Sequence, residues 1–330
     1  MNGLDLQRFD PKKYYEWDSF VLAQRDGTLF HTSIWLNEQP ETETQIFGLY
    51  YEGKLVGGTA LAVKKRWGQR IVPQPRMTPY YGPVFSDALA LSAGLKNACT
   101  YLLSQVYARF DAFSFNLPPQ AVQASQAFAA ALPGLFPDST IKPMRTNRIC
   151  DIEANLLLES YTGKSQRRYI RRASRMPEIS TQTSEDFEQL YLLAEESFQA
   201  AGRKHPMPRE TFIRLAKKLH HHGLANCLTV EFKGQPVAAY WVPFDRHTAY
   251  YLSSGLNQSF KNLHAGPYAM HLMIRDAMDQ KLVFDFEGSM NETINRYFTS
   301  FGPEEKKYVH FRVVPSKTCR FLIQSKALRF

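Results

Sequence analysis

The sequence predicts an α/β fold in which two similar domains, each a mixed sheet flanked by helices, pack side by side. The chain has 330 residues, which exceeds the usual size of one domain. Its 44% of hydrophobic residues is enough for ordinary globular cores. A strand–turn–strand unit followed by a helix and a further strand occurs in both halves, so duplication is the economical explanation. We expect domains at residues 1–154 and 155–330.

The elements of the first half follow from its apolar periodicity and turn residues. Helices are expected at residues 11–25, 33–38 and 88–108, and strands at residues 45–51, 55–64 and 111–116. A turn centred on Gly53 joins the first two strands.

The second half has the predicted order β-α-α-β-β-β-α-β-α-β, and its turn at Gly234 matches the turn at Gly53. Strands are expected at residues 179–183, 228–232, 236–244, 248–254, 282–287 and 308–314, and helices at 186–201, 209–222, 266–280 and 290–301. The helix at 266–280 carries an apolar stripe of Met270, Met273, Ile274, Ala277 and Met278.

The strand at residues 282–287 places Asp285 and Glu287 on one face, because side chains two apart on a strand point the same way. Its other residues are apolar, and a buried carboxylate is costly unless something pairs with it. The matching strand of the first half has Ser114 and Asn116 instead. Carboxylate chemistry is therefore predicted in the second half.

A helix is expected to begin directly after this strand. Ser289 and Glu292 form the S-x-x-E pattern of a helix N-terminus.

Positive charge is concentrated in one segment. Residues 155–176 hold six Lys and Arg and one Glu, so this segment carries +5 of the net charge of +9 of the whole chain. Lys164, Arg168, Arg171 and Arg175 are spaced four, three and four apart, so they share one helix face. This stripe predicts a site for a phosphate-bearing ligand, and a merely solvated helix face is the alternative.

Several classes of protein are not favoured. No apolar run is long enough to span a membrane, and the N-terminus lacks the apolar core of a secretory signal. The four cysteines lie far apart and are expected to be reduced, which predicts a cytoplasmic protein. No cluster with the spacing of metal ligands occurs, so no metal site is expected.

The order of elements in the second half resembles that of GNAT-type acyltransferases. In tandem form, the chain is similar to the Fem family of aminoacyl transferases and to tandem-GNAT N-acyltransferases. The stretches that carry the resemblance are FHTSIW (30–35), TPYYGP (78–83), RRYIRRA (167–173), YYLSSG (250–255), NLHAGPYAMHLMIRDA (262–277) and FDFEGS with RYFTSFG (284–289 and 296–302). Two features depart from the family pattern: Phe298 stands at the place of a usual lysine, and a long helical hairpin insertion is absent.

The resemblance implies an N-acyltransferase that joins an acyl group to an amine. The donor would be acyl-coenzyme A, with aminoacyl-tRNA as the alternative, and no cofactor would be permanently bound. The acceptor would be a small amine or a cell-wall or sugar precursor. A non-catalytic binding protein and a general nucleic-acid binder are the other hypotheses, and we expect no DNA partner.

The predicted site lies between the domains, at the C-terminal end of the strand 282–287. Glu287 and Asp285 are expected to accept the amine proton, although either could instead pair with a buried arginine. Backbone N–H groups near Ser253 and Ser254 would face the oxyanion. The remaining predicted contacts are Lys261, Gly266, Arg168, Arg171 and Arg175 for the donor, and Tyr80, Tyr81 and Tyr250 for the acceptor. The first domain, which lacks carboxylates at the positions that match Asp285 and Glu287, would form the acceptor-side wall.

Overall fold

The computed structural model describes residues 3–151, 153, 155–287, 292–328 and 330. The strands are β1 (Leu4–Arg8), β2 (Glu43–Tyr51), β3 (Lys54–Arg66), β4 (Gln69–Val72), β5 (Pro83–Phe85), β6 (Ala112–Leu117), β7 (Thr140–Ile149), β8 (Ile179–Thr183), β9 (Ala225–Phe232), β10 (Gln235–Pro243), β11 (Thr248–Tyr250), β12 (Ser253–Leu256), β13 (Val283–Asp285) and β14 (Glu304–Val313). The helices are α1 (Tyr14–Ala23), α2 (Ser33–Leu36), α3 (Asp87–Ala90), α4 (Leu95–Gln105), α5 (Val122–Leu135), α6 (Leu157–Ser160), α7 (Lys164–Ala173), α8 (Phe187–Ala200), α9 (Arg209–His221), α10 (Ala265–Asp279), α11 (Glu292–Thr299) and α12 (Lys317–Gln324).

The chain divides into two compact units, and the division differs from the predicted boundary at residue 154. Unit 1 comprises residues 1–144 and 307–330, and unit 2 comprises residues 145–306. The C-terminal segment belongs to unit 1 because β14 pairs antiparallel with β6. The end of β7 belongs to unit 2 because it pairs antiparallel with β13.

Unit 1 is a mixed sheet with helices packed on it. Its strand order is β1-β2-β3-β4-β6-β14, with β5 beside β3, and β4 runs parallel to β6. The predicted helix at residues 88–108 is divided into α3 and α4. Between them, Ser92 Oγ accepts a hydrogen bond from the Gly94 N–H at 3.1 Å. This local turn competes with a continuous helix.

Unit 2 contains the four-stranded sheet β12-β10-β9-β8 and the strands β7, β13 and β11. Strand β13 lies between parallel β11 and antiparallel β7. In unit 1, β6 likewise lies between parallel β4 and antiparallel β14, as a duplicated fold predicts. The predicted apolar stripe of α10 is confirmed, because all five of its members are buried.

The predicted strand at residues 248–254 is two strands that belong to different sheets. Its first part, β11, pairs with β13, whereas its second part, β12, pairs with β10. The contact with β13 ends where the Tyr251 N–H donates to the Asp285 carbonyl oxygen at 2.9 Å. Gly255 lets β12 approach α8, since a Cβ there would lie 2.1 Å from the Leu193 carbonyl carbon. The strand therefore diverges from β13 just beyond Tyr251.

Within the part of the chain that the structure describes, no helix has the length and apolar character needed to cross a lipid bilayer.

Candidate functional site

Asp285 ends β13 and is fully buried, with both carboxylate oxygens hydrogen-bonded. Oδ2 accepts from Arg148 Nε at 2.8 Å, and Oδ1 accepts from Thr146 Oγ1 at 2.5 Å and from the Glu287 N–H at 2.8 Å. Arg148 and Thr146 lie on β7, beside β13. This geometry does not support the prediction of a catalytic Asp285. It matches the alternative of pairing with a buried arginine.

Glu287 has a strained backbone and an unsatisfied carboxyl group. Its φ of +59° lies in the left-handed region, which a non-glycine residue adopts rarely and at a cost. Its Oε1 is buried and has no hydrogen-bond partner among the described residues. Burial, and secondarily the negative charge of Asp285, raises the pKa of Glu287 well above its ordinary value. A carboxyl group of this kind takes up a proton readily, as the predicted base requires.

The helix predicted to follow this strand begins in the described chain at Glu292. The predicted cap, Ser289, lies outside the described residues. The Glu292 carboxylate accepts a hydrogen bond from Arg145 Nη2 at 2.7 Å, and both side chains are partly exposed.

Three tyrosine hydroxyls and one serine form a polar cluster close to Glu287. Tyr251 Oη lies 2.5 Å from Ser254 Oγ, and the Glu287 charge acts on Tyr251. The Tyr240 hydroxyl donates to the Gly266 carbonyl at 2.9 Å and interacts with the hydroxyls of Tyr297 and Ser254. Burial raises the pKa of all three tyrosines, so they are neutral hydrogen-bond donors at neutral pH.

Ser254 presents its backbone N–H to the side of β12 that faces away from β10. The Asn257 N–H donates to the Val237 carbonyl across the β10–β12 pair, and hydrogen-bonded pairs alternate along antiparallel strands. The N–H of the preceding residue, Leu256, points to the opposite side of β12 and donates instead to Ser197 Oγ of α8. By the same alternation, the Ser254 N–H points outward and the Ser253 N–H points toward β10. Of the two predicted oxyanion donors, Ser254 has the required direction.

The three tyrosines predicted to contact the acceptor have packing roles instead. Tyr250 is fully buried, and its hydroxyl donates to Asp245 Oδ2 at 2.7 Å. Tyr81 is fully buried and accepts a hydrogen bond from the Ala62 N–H at 2.5 Å, while Tyr80 packs edge-on against another tyrosine of unit 1. None of the three presents its ring to a ligand, because each is enclosed in the core of its own unit.

The basic helix α7 lies beside the N-terminus of α10. The rings of Tyr169 and His264 are stacked, with centroids 3.9 Å apart and planes 14° apart, and Arg168 lies over the Tyr169 ring. Burial, and then the positive charges of Arg172 and Arg168, lowers the pKa of His264. His264 directly precedes α10. Two cations are thus held near a helix N-terminus, where backbone N–H groups favour an anion.

The predicted arginine stripe is only partly a single surface. Helix α7 ends at Ala173, so Arg175 lies in the turn after it. Arg171 is paired with Glu159 at 3.5 Å, and both side chains are largely exposed. Of the three predicted arginines, Arg168 is the one whose charge lowers the pKa of His264. Arg172 also lowers this pKa but was not among the predicted donor contacts.

The two other predicted donor contacts flank the α10 N-terminus. Lys261 is exposed in the 3-10 helix Gln258–Leu263, just before α10. Gly266 is in the first turn of α10, and its carbonyl accepts the Tyr240 hydroxyl.

Phe298, which replaces the family's usual lysine, packs in an aromatic cluster. Its ring centroid lies 5.1 Å from that of Phe286 and 5.7 Å from that of Tyr251. Phe298 is buried, so the position contributes apolar contact and no positive charge.

Sequence reasoning missed four residues of this site. Thr146 and Arg148 lie on β7, a strand for which no prediction was made, and the run of four polar residues at 145–148 has no apolar alternation that could have indicated it. Tyr240 and Tyr297 lie in predicted elements, but only the tertiary contacts set them apart from other core tyrosines. The described residues contain no group of three or more metal-ligating side chains.

Part of the chain matches a known family of protein domains. Residues 162–298 match the family model described as an acetyltransferase (GNAT) domain. No curated protein matches the chain.

Solved structures share the fold at low sequence identity. The crystal structure of FemX is 14% identical, with a TM-score of 0.75, 96% of this chain covered and 100% of that one. A tandem GNAT protein from the clavulanic acid biosynthesis pathway is 11% identical, with a TM-score of 0.53 and coverage of 94% and 97%. The C-terminal domain of a putative lysylphosphatidylglycerol synthetase from Agrobacterium fabrum is 8% identical, with a TM-score of 0.56 and coverage of 96% of each chain.

The predicted class of protein is confirmed. Residues 162–298 form a GNAT acetyltransferase domain, and the chain has the two-domain fold of FemX and tandem GNAT proteins. This domain identifies the protein as an acyltransferase.

We expect Asp285→Asn to destabilise the protein strongly. It leaves Arg148 as a buried charge without its counter-ion, a change that typically costs about 3–5 kcal/mol. Urea unfolding with a probe of unit 2 measures the loss, with the exposed-pair variant Glu188→Gln as the control. A free energy of unfolding within 0.5 kcal/mol or so of the wild type would contradict the structural role.

We expect Glu287→Gln to stabilise the protein at pH 8. The pKa of Glu287 is raised in the folded state, so folding favours the protonated form. Above the pKa of the unfolded chain, the unfolded chain has lost this proton while the folded protein still holds it, so the free energy of unfolding falls as pH rises. The variant's advantage in melting temperature should therefore vanish near pH 4 and grow toward pH 8. An advantage that does not change with pH would show that the carboxyl group ionises freely.

Proposed function

We propose that this protein transfers an acyl group from acyl-coenzyme A to an amine. The observation that supports this most is the divergence of β12 from β13 beyond Tyr251, with Glu287 following β13 and the Ser254 N–H directed away from β10. A thioester carbonyl lying in this opening would have a base on one side and a hydrogen-bond donor on the other. We further propose a cytoplasmic location, where the four free cysteines stay reduced.

Glu287 would act as the general base. An amine with a pKa of about 10.4 is neutral in roughly one molecule in 2,500 at pH 7, a handicap of about 4–5 kcal/mol. A carboxyl group whose pKa is raised well above its ordinary value by burial is a stronger base than an exposed one and is suited to removing that proton. The hydrogen bond from the Glu287 N–H to Asp285 Oδ1 would fix the backbone that carries this carboxyl group.

The reaction would proceed through a tetrahedral intermediate. The amine nitrogen bonds to the thioester carbonyl carbon, and the proton that it loses goes to Glu287. The Ser254 N–H would stabilise the oxyanion, a contribution of about 3–4 kcal/mol for a well-placed donor. The C–S bond then breaks, and the thiolate takes up the proton that Glu287 had accepted, which restores the carboxylate.

The donor's pyrophosphate would lie at the N-terminus of α10. Arg168 and Arg172 lie near His264 at this point, and their positive charge adds to that of the helix N–H groups in attracting an anion. Lys261 and Gly266 flank the same position, and Arg171 and Arg175 would extend the positive surface. The acceptor would be an amine on a small molecule or on a cell-wall or sugar precursor.

Aminoacyl-tRNA is the second candidate donor. The exposed Arg171, Arg172 and Arg175 continue the charge of Arg168 beyond the α10 N-terminus, which suits an extended polyanion. Phe298 in place of the usual lysine argues against it. Thermal shift with coenzyme A and with tRNA separates the two, because a ligand that binds the folded state raises the melting temperature.

We expect Glu287→Gln to lower kcat by about 100-fold or more with little change in donor affinity. The acidic limb of the pH–rate profile should be lost and the optimum should move upward, because the amine must then lose its proton to solvent. Steady-state kinetics from pH 6 to 10 measure both, with Glu292→Gln as the matched control on the neighbouring helix. Wild-type kcat with an unchanged pH profile would refute the role of Glu287.

We expect the double variant Arg168→Gln/Arg172→Gln to raise the KM for acyl-coenzyme A with kcat nearly unchanged. Each arginine–phosphate contact contributes about 1–3 kcal/mol, or roughly 5- to 150-fold in affinity. The matched control is Arg171→Gln/Arg175→Gln, which removes the same amount of charge from the end of α7 and the turn after it. Equal effects of the two pairs would indicate diffuse attraction of a polyanion and favour tRNA.

A further inference from the structure

Unit 1 contains a basic cavity that has no part in the proposed transfer. Its volume is about 550 Å³, and it lies beside the start of β2, the end of β3 and the residues after α12. Its charged lining residues are Lys64, Arg66, Arg76, Lys326 and Glu41. We call it the Lys64 cavity.

The lining is strongly positive at neutral pH. Glu41 is paired with Lys64, and the hydrogen bond from Lys64 holds the pKa of the Glu41 carboxyl below its ordinary value. Four cations thus face one ionised acid, which leaves a net charge of +3. Such a surface fits an anionic group better than an apolar or neutral one.

Two glutamine side chains in the lining have polar atoms without partners. Gln39 is 5% exposed, its Oε1 accepts from the Arg76 N–H at 2.9 Å, and its Nε2 has no partner among the described residues. Gln74 donates from Nε2 to the Thr78 carbonyl at 2.6 Å, and its Oε1 also has no partner in the described chain. Buried polar atoms are normally hydrogen-bonded, so this exception points to a ligand or ordered water.

An exposed tryptophan directly follows Arg66, a lining residue of this cavity. Trp67 forms the turn between β3 and β4, has a positive φ of +53° and is 65% exposed. Lys65 and Arg66 precede it, and Arg70 follows. A tryptophan ring at the tip of a cationic turn fits a membrane interface, where the ring sits at the headgroup level and cations meet anionic lipid.

Helix α12 extends this surface. The Ser316 hydroxyl at its N-terminus donates to Gln69 Oε1 of β4 at 2.9 Å, which ties the helix to the Trp67 turn. Phe321 of α12 is 68% exposed on a face that also carries Lys317. Lys326, just after the helix, lines the Lys64 cavity. The Trp67 turn and α12, each linked to the cavity through a neighbouring lining residue, thus both carry an exposed aromatic ring.

We propose that unit 1 docks on an anionic phospholipid surface. A lipid phosphate occupies the Lys64 cavity, and the Trp67 ring lies in the interface beside it. The charge of the cavity complements the phosphate, and the exposed rings supply the apolar contact that a soluble phosphate would leave unused. RNA fits less well, because bases stack on rings that line a groove, whereas Trp67 stands at the tip of a turn.

The fluorescence of Trp67 reports directly on contact between this residue and lipid. Trp17, Trp35 and Trp241 are fully buried, so quenching from outside the protein acts on Trp67. Vesicles of phosphatidylcholine with about one third phosphatidylglycerol should bind, shift the emission to the blue and, when the lipid chains are brominated, quench it. Vesicles of phosphatidylcholine alone should bind much more weakly, since each cation near an anionic surface contributes roughly 5-fold.

The test variant is Arg66→Gln/Arg76→Gln/Lys326→Gln, and its matched control is Lys12→Gln/Lys13→Gln/Lys54→Gln, three exposed cations elsewhere in unit 1. We expect the first to lose roughly 100-fold in vesicle affinity by flotation, and the control to lose little. The charge-keeping variant Arg66→Lys/Arg76→Lys should bind, which excludes misfolding as the cause of the loss.

Three results would overturn the proposal. The first is equal vesicle binding by the test and control variants, and the second is binding without quenching by brominated lipid. The third is perturbation of Trp67 by inorganic pyrophosphate or by an RNA oligonucleotide when anionic vesicles have no effect, which would assign the surface to a soluble phosphate or to RNA.

Discussion

The buried ion pair between Asp285 and Arg148 is the interaction on which the candidate site depends. Burying a carboxylate and a guanidinium together rarely adds net stability, because the loss of hydration offsets their attraction. What the pair supplies is position. It fastens β7 to the end of β13, and the second carboxylate oxygen holds the Thr146 hydroxyl and the Glu287 N–H. Glu287 is thereby held in a backbone conformation that it would not adopt alone.

The cost of this arrangement falls on Glu287. Its carboxyl group lies near a second acid, is shielded from water and lacks a partner at Oε1 in the described structure. A residue chosen for stability would be paired or uncharged. Unfavourable backbone and electrostatic states of this kind persist where function requires them, and the surrounding structure compensates for them. The ion pair of Asp285 is that compensation here.

The duplicated unit shows what the same positions do without carboxylates. In β6, Ser114 and Asn116 stand where β13 and its continuation carry Asp285 and Glu287. The Asn116 side chain donates to the Pro79 carbonyl at 3.0 Å and lies 2.6 Å from His310, so its polar groups are satisfied locally. The corresponding point in unit 1 is therefore a hydrogen-bonded part of the core. At this point of the fold, unit 2 has a carboxyl group with a raised pKa, whereas unit 1 has an amide.

The sequence by itself determined the class of fold, the duplication and the place of the acidic strand, because apolar periodicity, turn glycines and the spacing of Asp285 and Glu287 are local properties. It could not distinguish the two acids, since that depends on Arg148, more than 130 residues away, pairing with Asp285 across β7 and β13. The same limit applies to Tyr250 and Tyr251, which are adjacent in sequence but face different neighbours after the strand divides. Tertiary structure decided these roles, because burial and hydrogen bonding are set by distant segments of the chain.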